Sequence, residues 1–78
     1  MVNGCRCGPL LSQRQVNNLV HGERIMVIWC GGNGPHIYTV NRTMICKTPF
    51  ALECNQQIDF VGKESYHTQV RRIIKEPR

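Results

Sequence analysis

Five cysteines and three histidines are the residues of this chain whose types can hold a metal or attack a substrate. A structural zinc site needs four ligands at tetrahedral angles, usually supplied by pairs of C-x2-4-C knuckles. Cys5 and Cys7 stand one residue too close for such a knuckle, and Cys46 and Cys54 stand too far apart. Cys5, Cys7, Cys46 and Cys54, with His21, His36 or His67 as a substitute, thus form only a composite candidate, and zinc is the one cofactor left open. Cys30 and Cys46 lie inside apolar runs, where a cysteine usually serves as a small buried hydrophobe. The odd number of cysteines argues against a closed disulfide framework.

Covalent catalysis asks for a cysteine beside a histidine that a third polar group orients. Cys30 and His36 flank a glycine cluster and could meet across a hairpin, but no third member or oxyanion hole accompanies them. The acidic residues Glu23, Glu53, Asp59, Glu64 and Glu76 are scattered along the chain. No catalytic constellation is assembled, and the expectation is a protein that binds rather than one that reacts.

The glycine cluster lies in "WCGGNGPHIYTV", Trp29 to Val40. A phosphate-binding P-loop would need Lys-Ser or Lys-Thr after the last glycine and a helix beyond it, and the dinucleotide fingerprint likewise opens a helix. Pro35 and a β-type run follow instead. Asn33-Gly34 predicts the tight turn of a hairpin, with Gly31 and Gly32 relieving a bulge and Pro35 stiffening the exit. A second role is open to Gly32, Asn33 and Gly34, whose exposed N–H groups could form an anion-binding nest flanked by Trp29, His36 and Tyr38.

Ten Lys and Arg against five Asp and Glu leave a formal charge of +5, which favours nucleic acid or an acidic protein surface as partner. Nucleic-acid binding requires cations for phosphates and flat rings on which bases stack. Arg24, Arg42, Lys47, Lys63, Arg71 and Arg72 supply charge. Tyr66 and His67, close in sequence to Arg71 and Arg72, make the densest basic-aromatic grouping, whereas Trp29 and Tyr38 read as core, as do Phe50 and Phe60.

These residues need a scaffold. The run "ERIMVIWC" is the best strand: Ile25, Val27 and Trp29 point one way, and Met26, Ile28 and Cys30 the other. Both faces are apolar, which predicts a central or doubly covered strand. "HIYTV" at 36–40 and "TMICK" at 43–47 read as further strands, "FALEC" at 50–54 and "QIDFVG" as shorter ones, and "TQVRRII" as a strand or a short helix. Ser12 with Gln15 forms a capping-box pattern before Val16 and Leu19, predicting a helical turn.

Several short strands with turn signals between them define an all-β protein, or a mainly β one with a short N-terminal helical turn. The stretch "LVHGERIMVIW", a polar glycine turn running into an apolar strand and then a hairpin, resembles an SH3-like barrel, and implies a small five-stranded barrel. The expected organisation is an arm at 1–11, one domain at 12–74 and a fraying tail at 75–78. The longest apolar run, Ile25 to Cys30, is far short of the about 20 residues a membrane-spanning helix needs. With no signal-peptide pattern in "MVNGCRCGPLL", cytoplasmic residence is expected.

The leading functional expectation is a small basic nucleic-acid-associated module. The alternatives are an interaction or inhibitor protein of the kind phages and mobile elements encode, docking on another protein or forming a homodimer, and a zinc-stabilised domain.

Overall fold

A strand that is apolar on both faces belongs between two others, and Arg24–Trp29 occupies that place. In the computed structural model, which describes residues 6–29, 31–43, 48–58 and 68–76, the chain runs β1 (Arg6–Cys7), α1 (Gln13–Asn17), β2 (Arg24–Trp29), β3 (Asn33–Asn41), β4 (Phe50–Ala51), β5 (Gln56–Gln57) and β6 (Gln69–Lys75). The six strands form one antiparallel sheet of order β1-β6-β2-β3-β4-β5. The fold is thus mainly β with little helix. The described sheet is not closed: β1 and β5 are its two edges, where the sequence pattern predicts a five-stranded barrel.

Alternation along β2 sorts the sheet into two faces. Ile25, Val27 and Trp29 are buried with Tyr38 and Val40 of β3 and Val70 of β6, the register partner of Val27. Leu11, Val16, Leu19, Ala51 and Ile58 complete this cluster. Each fully buried Leu or Ile there contributes about 1.5–3 kcal/mol. The helical turn begins with a reciprocal cap: the Ser12 hydroxyl accepts from the Gln15 N–H at 3.2 Å, and the Gln15 side chain accepts from the Ser12 N–H at 2.9 Å. Val16 and Leu19 then reach the cluster, while Val20 stays exposed.

Trp29 and Tyr38 are core, as expected. The indole Nε1–H donates to the Tyr38 hydroxyl at 3.0 Å, and the rings meet edge to face with centroids 5.7 Å apart. Each aromatic thereby supplies the polar partner that the other's burial requires.

The hairpin between β2 and β3 reverses the expected roles of the glycines. Gly31 and Gly32, at φ +91° and +85°, make the turn, and the Gly32 N–H donates to the Trp29 carbonyl at 3.0 Å. Asn33 already pairs with Trp29 as the start of β3. The register runs from Val27↔His36 to Trp29↔Asn33, so Ile28 faces both Gly34 and Pro35, and the bulge lies there. Gly34 has φ +123°, and a Cβ on it would stand 2.8 Å from the Val27 carbonyl oxygen, so only glycine fits.

Other boundaries also differ. Residues 6–11, expected as an arm, lie along β6: the Gly8 N–H donates to the Arg72 carbonyl and the Leu11 N–H to the Val70 carbonyl, both at 2.9 Å. Backbone pairing of this kind leaves no side-chain periodicity to read. At the other end, Lys75 closes β6 and Glu76 holds Arg24 in an ion pair, so the expected fraying does not begin at 75. "FALEC" gives only the two residues of β4 before a turn, and Phe50 is half-buried rather than core. The expected strand at 43–47 lies outside the described residues apart from Thr43, whose N–H and hydroxyl both donate to the Asn41 side chain. Asp59 and Phe60 also lie outside them.

Candidate functional site

Neighbouring residues of a strand project to opposite sides of the sheet. Arg71 and Arg72 are such neighbours, and the register fixes which side each takes. Arg72 pairs with core residue Ile25, and Arg71 pairs with Met26 on the other, outer face. The two arginines that the sequence sets side by side therefore form no common patch. Arg72 donates from Nε to Glu23 Oε1 at 2.6 Å, at the margin of the core face.

Arg24 is on the outer face but is tied there. Its Nη1 donates to Thr39 Oγ1 at 2.6 Å and to Glu53 Oε1 at 3.3 Å, and its Nε and Nη2 donate to Glu76 Oε1 at 3.2 and 3.0 Å. The hydrogen bond to Glu76 is the main cause of an Arg24 pKa above its ordinary value; partial burial acts the other way, and attraction to Glu76 and Glu53 adds to the rise. Glu53 also accepts from the Thr39 N–H at 3.1 Å, taking the place of a strand carbonyl where β4 ends. The arrangement joins the start of β2, β3, the β4–β5 turn and the end of β6, and it neutralises the arginine.

What remains on the outer face is a concavity of about 530 Å³ lined by Arg6, Cys7, Met26, Ile28, Pro35, Gln69 and Arg71. Met26 and Ile28 form its floor, Met26 being only 6% exposed. The Cys7 thiol lies 3.7 Å from the Met26 sulfur and donates towards it. Pro35 enters from the bulge in β3. Arg71 donates from Nη1 to the Gly8 carbonyl at 3.2 Å, which anchors the guanidinium at the rim through one of its donors. Arg6, exposed and in register with exposed Lys75, brings further positive charge to the same side. The site combines a soft apolar floor with cations at its edge, the composition of a small binding pocket.

The other predicted site residues scatter. Gly32, Asn33, Gly34 and His36 are exposed at the far end of the hairpin, with the His36 ring 5.9 Å from that of Tyr38. The Gly32 N–H is engaged in the turn, and Trp29 and Tyr38 are bonded to each other, so the proposed nest lacks those flanking groups. Arg42 lies elsewhere: its N–H donates to His21 Nδ1 at 3.0 Å, and its Nη1 is buried without a hydrogen-bond partner among the described residues. Lys47, Lys63, Tyr66, His67, Cys5, Cys30 and Cys46 lie outside the described residues. Cys7 is on β1 and Cys54 is exposed in the turn between β4 and β5, at the two ends of the strand order. Among the described residues no three His, Cys, Asp or Glu side chains gather as metal ligands.

Sequence reasoning missed Arg6, Pro35 and Gln69 as site residues. It did hold a signal for the floor, since Met26 and Ile28 form the second apolar face of β2. No helix among the described residues is long and apolar enough to cross a membrane. No protein-family model, curated protein or solved structure matches the chain.

Proposed function

We propose that this chain is a small, basic, non-enzymatic binding module that takes an acidic protein partner on the outer face of its sheet. The observation that carries this reading is the concavity between β1, β6, β2 and the β3 bulge, with an apolar floor of Met26 and Ile28 and a rim of Arg6 and Arg71. An apolar floor contributes affinity through desolvation, and rim cations contribute orientation and a faster encounter with an acidic partner.

Nucleic acid fits this face less well. Arg24 and Arg72 are paired with carboxylates, Arg71 and Arg72 diverge, and Trp29 and Tyr38, whose rings could stack on bases, are buried. A non-specific nucleic-acid groove combines a track of cations with exposed rings. Among the described residues the outer face has cations but no exposed aromatic ring beside them.

The test is an NMR titration of the ¹⁵N-labelled, reduced protein with hexaglutamate. Shift changes concentrated at Arg6, Cys7, Met26, Ile28, Gln69 and Arg71, weakening between about 50 and 200 mM salt as screening increases, support the reading. Changes centred instead on the His36 hairpin or around His21 and Arg42, or no changes at all, overturn it.

A further inference from the structure

Side chains on one face of a strand recur every second residue, about 6.6–6.8 Å apart. Along β6 the alternation reads Gln69, Arg71, Ile73, Lys75. Arg6 lies opposite Lys75 and Cys7 opposite Ile73, with an irregularity between the two pairs that leaves Ile74 unpaired in the register, and Arg6 and Cys7 both line the outer concavity. Cations thus stand at both ends of a stretch about 13 Å long, with apolar groups between them. Met26, the register partner of Arg71, carries that apolar middle into the concavity beside Cys7 and Ile28.

An extended peptide has the same period, so its residues i, i+2 and i+4 face a sheet at the same spacing. Resting on the acidic-partner reading above, we infer that the outer face recognises an extended segment with carboxylates at i and i+4 and an apolar residue at i+2. Arg71 takes one carboxylate in its planar fork, and Arg6 with Lys75 takes the other. The apolar side chain between them rests on Cys7, Met26 and Ile28.

The alternation also distinguishes this ligand from a polynucleotide. Each nucleic-acid strand carries a charge about every 3.4 Å of duplex axis, so a backbone spanning the two cationic ends sets phosphates over the apolar middle. Desolvating a charge there without a partner is costly. A segment whose charges are four residues apart avoids that cost.

The experiment is fluorescence anisotropy with the full, reduced chain at about 50 mM salt. The probe is a labelled nonapeptide of serine and threonine in which two glutamates flank a central leucine, each two residues away. Comparators are the same composition with the glutamates adjacent at one end, the central leucine replaced by serine, hexaglutamate, and a single-stranded nonadeoxynucleotide. The expected result is that rearranging the glutamates or losing the leucine weakens binding about tenfold or more, the leucine effect matching the burial of one such side chain. Arg6→Gln and Arg71→Gln each weaken it about threefold or more, Arg71→Lys weakens it less than Arg71→Gln, and Arg14→Gln, on the helical turn, leaves it unchanged. Equal binding of the patterned peptide, the rearranged peptide and hexaglutamate overturns the pattern but leaves the acidic-partner reading standing. Tighter binding of the oligonucleotide than of every peptide, or no peptide binding at 1 mM, overturns both.

Discussion

Gly34 is the position where the geometry of the outer face is most exposed to a single methyl group. At φ +123° its backbone is in a region that L side chains rarely adopt, and a Cβ would lie 2.8 Å from the Val27 carbonyl oxygen, 3.2 Å from the His36 nitrogen and 3.3 Å from the Ile28 Cα. All three neighbours are backbone of the central hairpin, so none can swing away as a side-chain tip would. The conformational cost of Gly34→Ala is about 1–3 kcal/mol. Forcing extra volume into a packed site adds about 1–3 kcal/mol, for about 2–6 kcal/mol together. A domain of this length has about 4–12 kcal/mol in all, so the variant loses a large share of its stability. Gly31→Ala and Gly32→Ala meet open space at φ +91° and +85° and cost only the left-handed conformation, about 1–2 kcal/mol each. Urea unfolding followed by fluorescence of the single, buried Trp29 ranks the three variants. Gly34→Ala is expected to shift the midpoint by about 1 M or more beyond the other two. A Gly34→Ala variant no less stable than Gly31→Ala would refute the bulge and return the tight turn to Asn33-Gly34.

Two further substitutions probe the faces of the sheet. Tyr38→Phe leaves the buried Trp29 Nε1–H without its acceptor at 3.0 Å, and should destabilise the fold by about 1–3 kcal/mol in thermal unfolding; an unchanged midpoint would show that the indole finds another partner. Arg72→Gln removes a half-exposed ion pair with Glu23, so stability should fall by less than about 1 kcal/mol, with hexaglutamate binding unaltered. If Arg72→Gln weakens that binding as much as Arg71→Gln, the division of the two arginines between faces does not govern recognition.

The division also marks where sequence reasoning succeeds and where it stops. The central place of β2 was legible because both of its faces are apolar, and the capping box was legible because Ser12 and Gln15 have the spacing their reciprocal hydrogen bonds require. Residues 68–74 left helix and strand open, and that choice decides whether adjacent arginines cooperate. On a helix Arg71 and Arg72 would be neighbours about 100° apart, whereas in β6 they are opposed. Arg6 was hidden for a different reason. It belongs to a two-residue strand, followed by Gly8 and Pro9, that backbone hydrogen bonds attach to β6, and no side-chain pattern reports such pairing. The glycines failed more subtly: Asn33-Gly34 has the composition of a turn, but contact with the Val27 carbonyl, invisible along the chain, reserves Gly34 for the bulge.

Net charge alone would have assigned every arginine to one task. The folded chain separates them by the partners within reach. Arg24 joins three segments through Glu53, Glu76 and Thr39, and Arg72 steadies the His21–Gly22 turn through Glu23, so both charges are neutralised internally. Arg6, Arg71 and Lys75 remain on the outer face, around the apolar residues that a second copy of the chain would also find attractive. Bringing two such faces together about a twofold axis would set like charges at the rims of a low-dielectric interface, where repulsion is strongest. A carboxylate-bearing partner meets the opposite condition at the same positions. On the proposed reading the same three cations disfavour self-association through this face and favour an acidic ligand, so that one set of side chains would supply affinity and discrimination together.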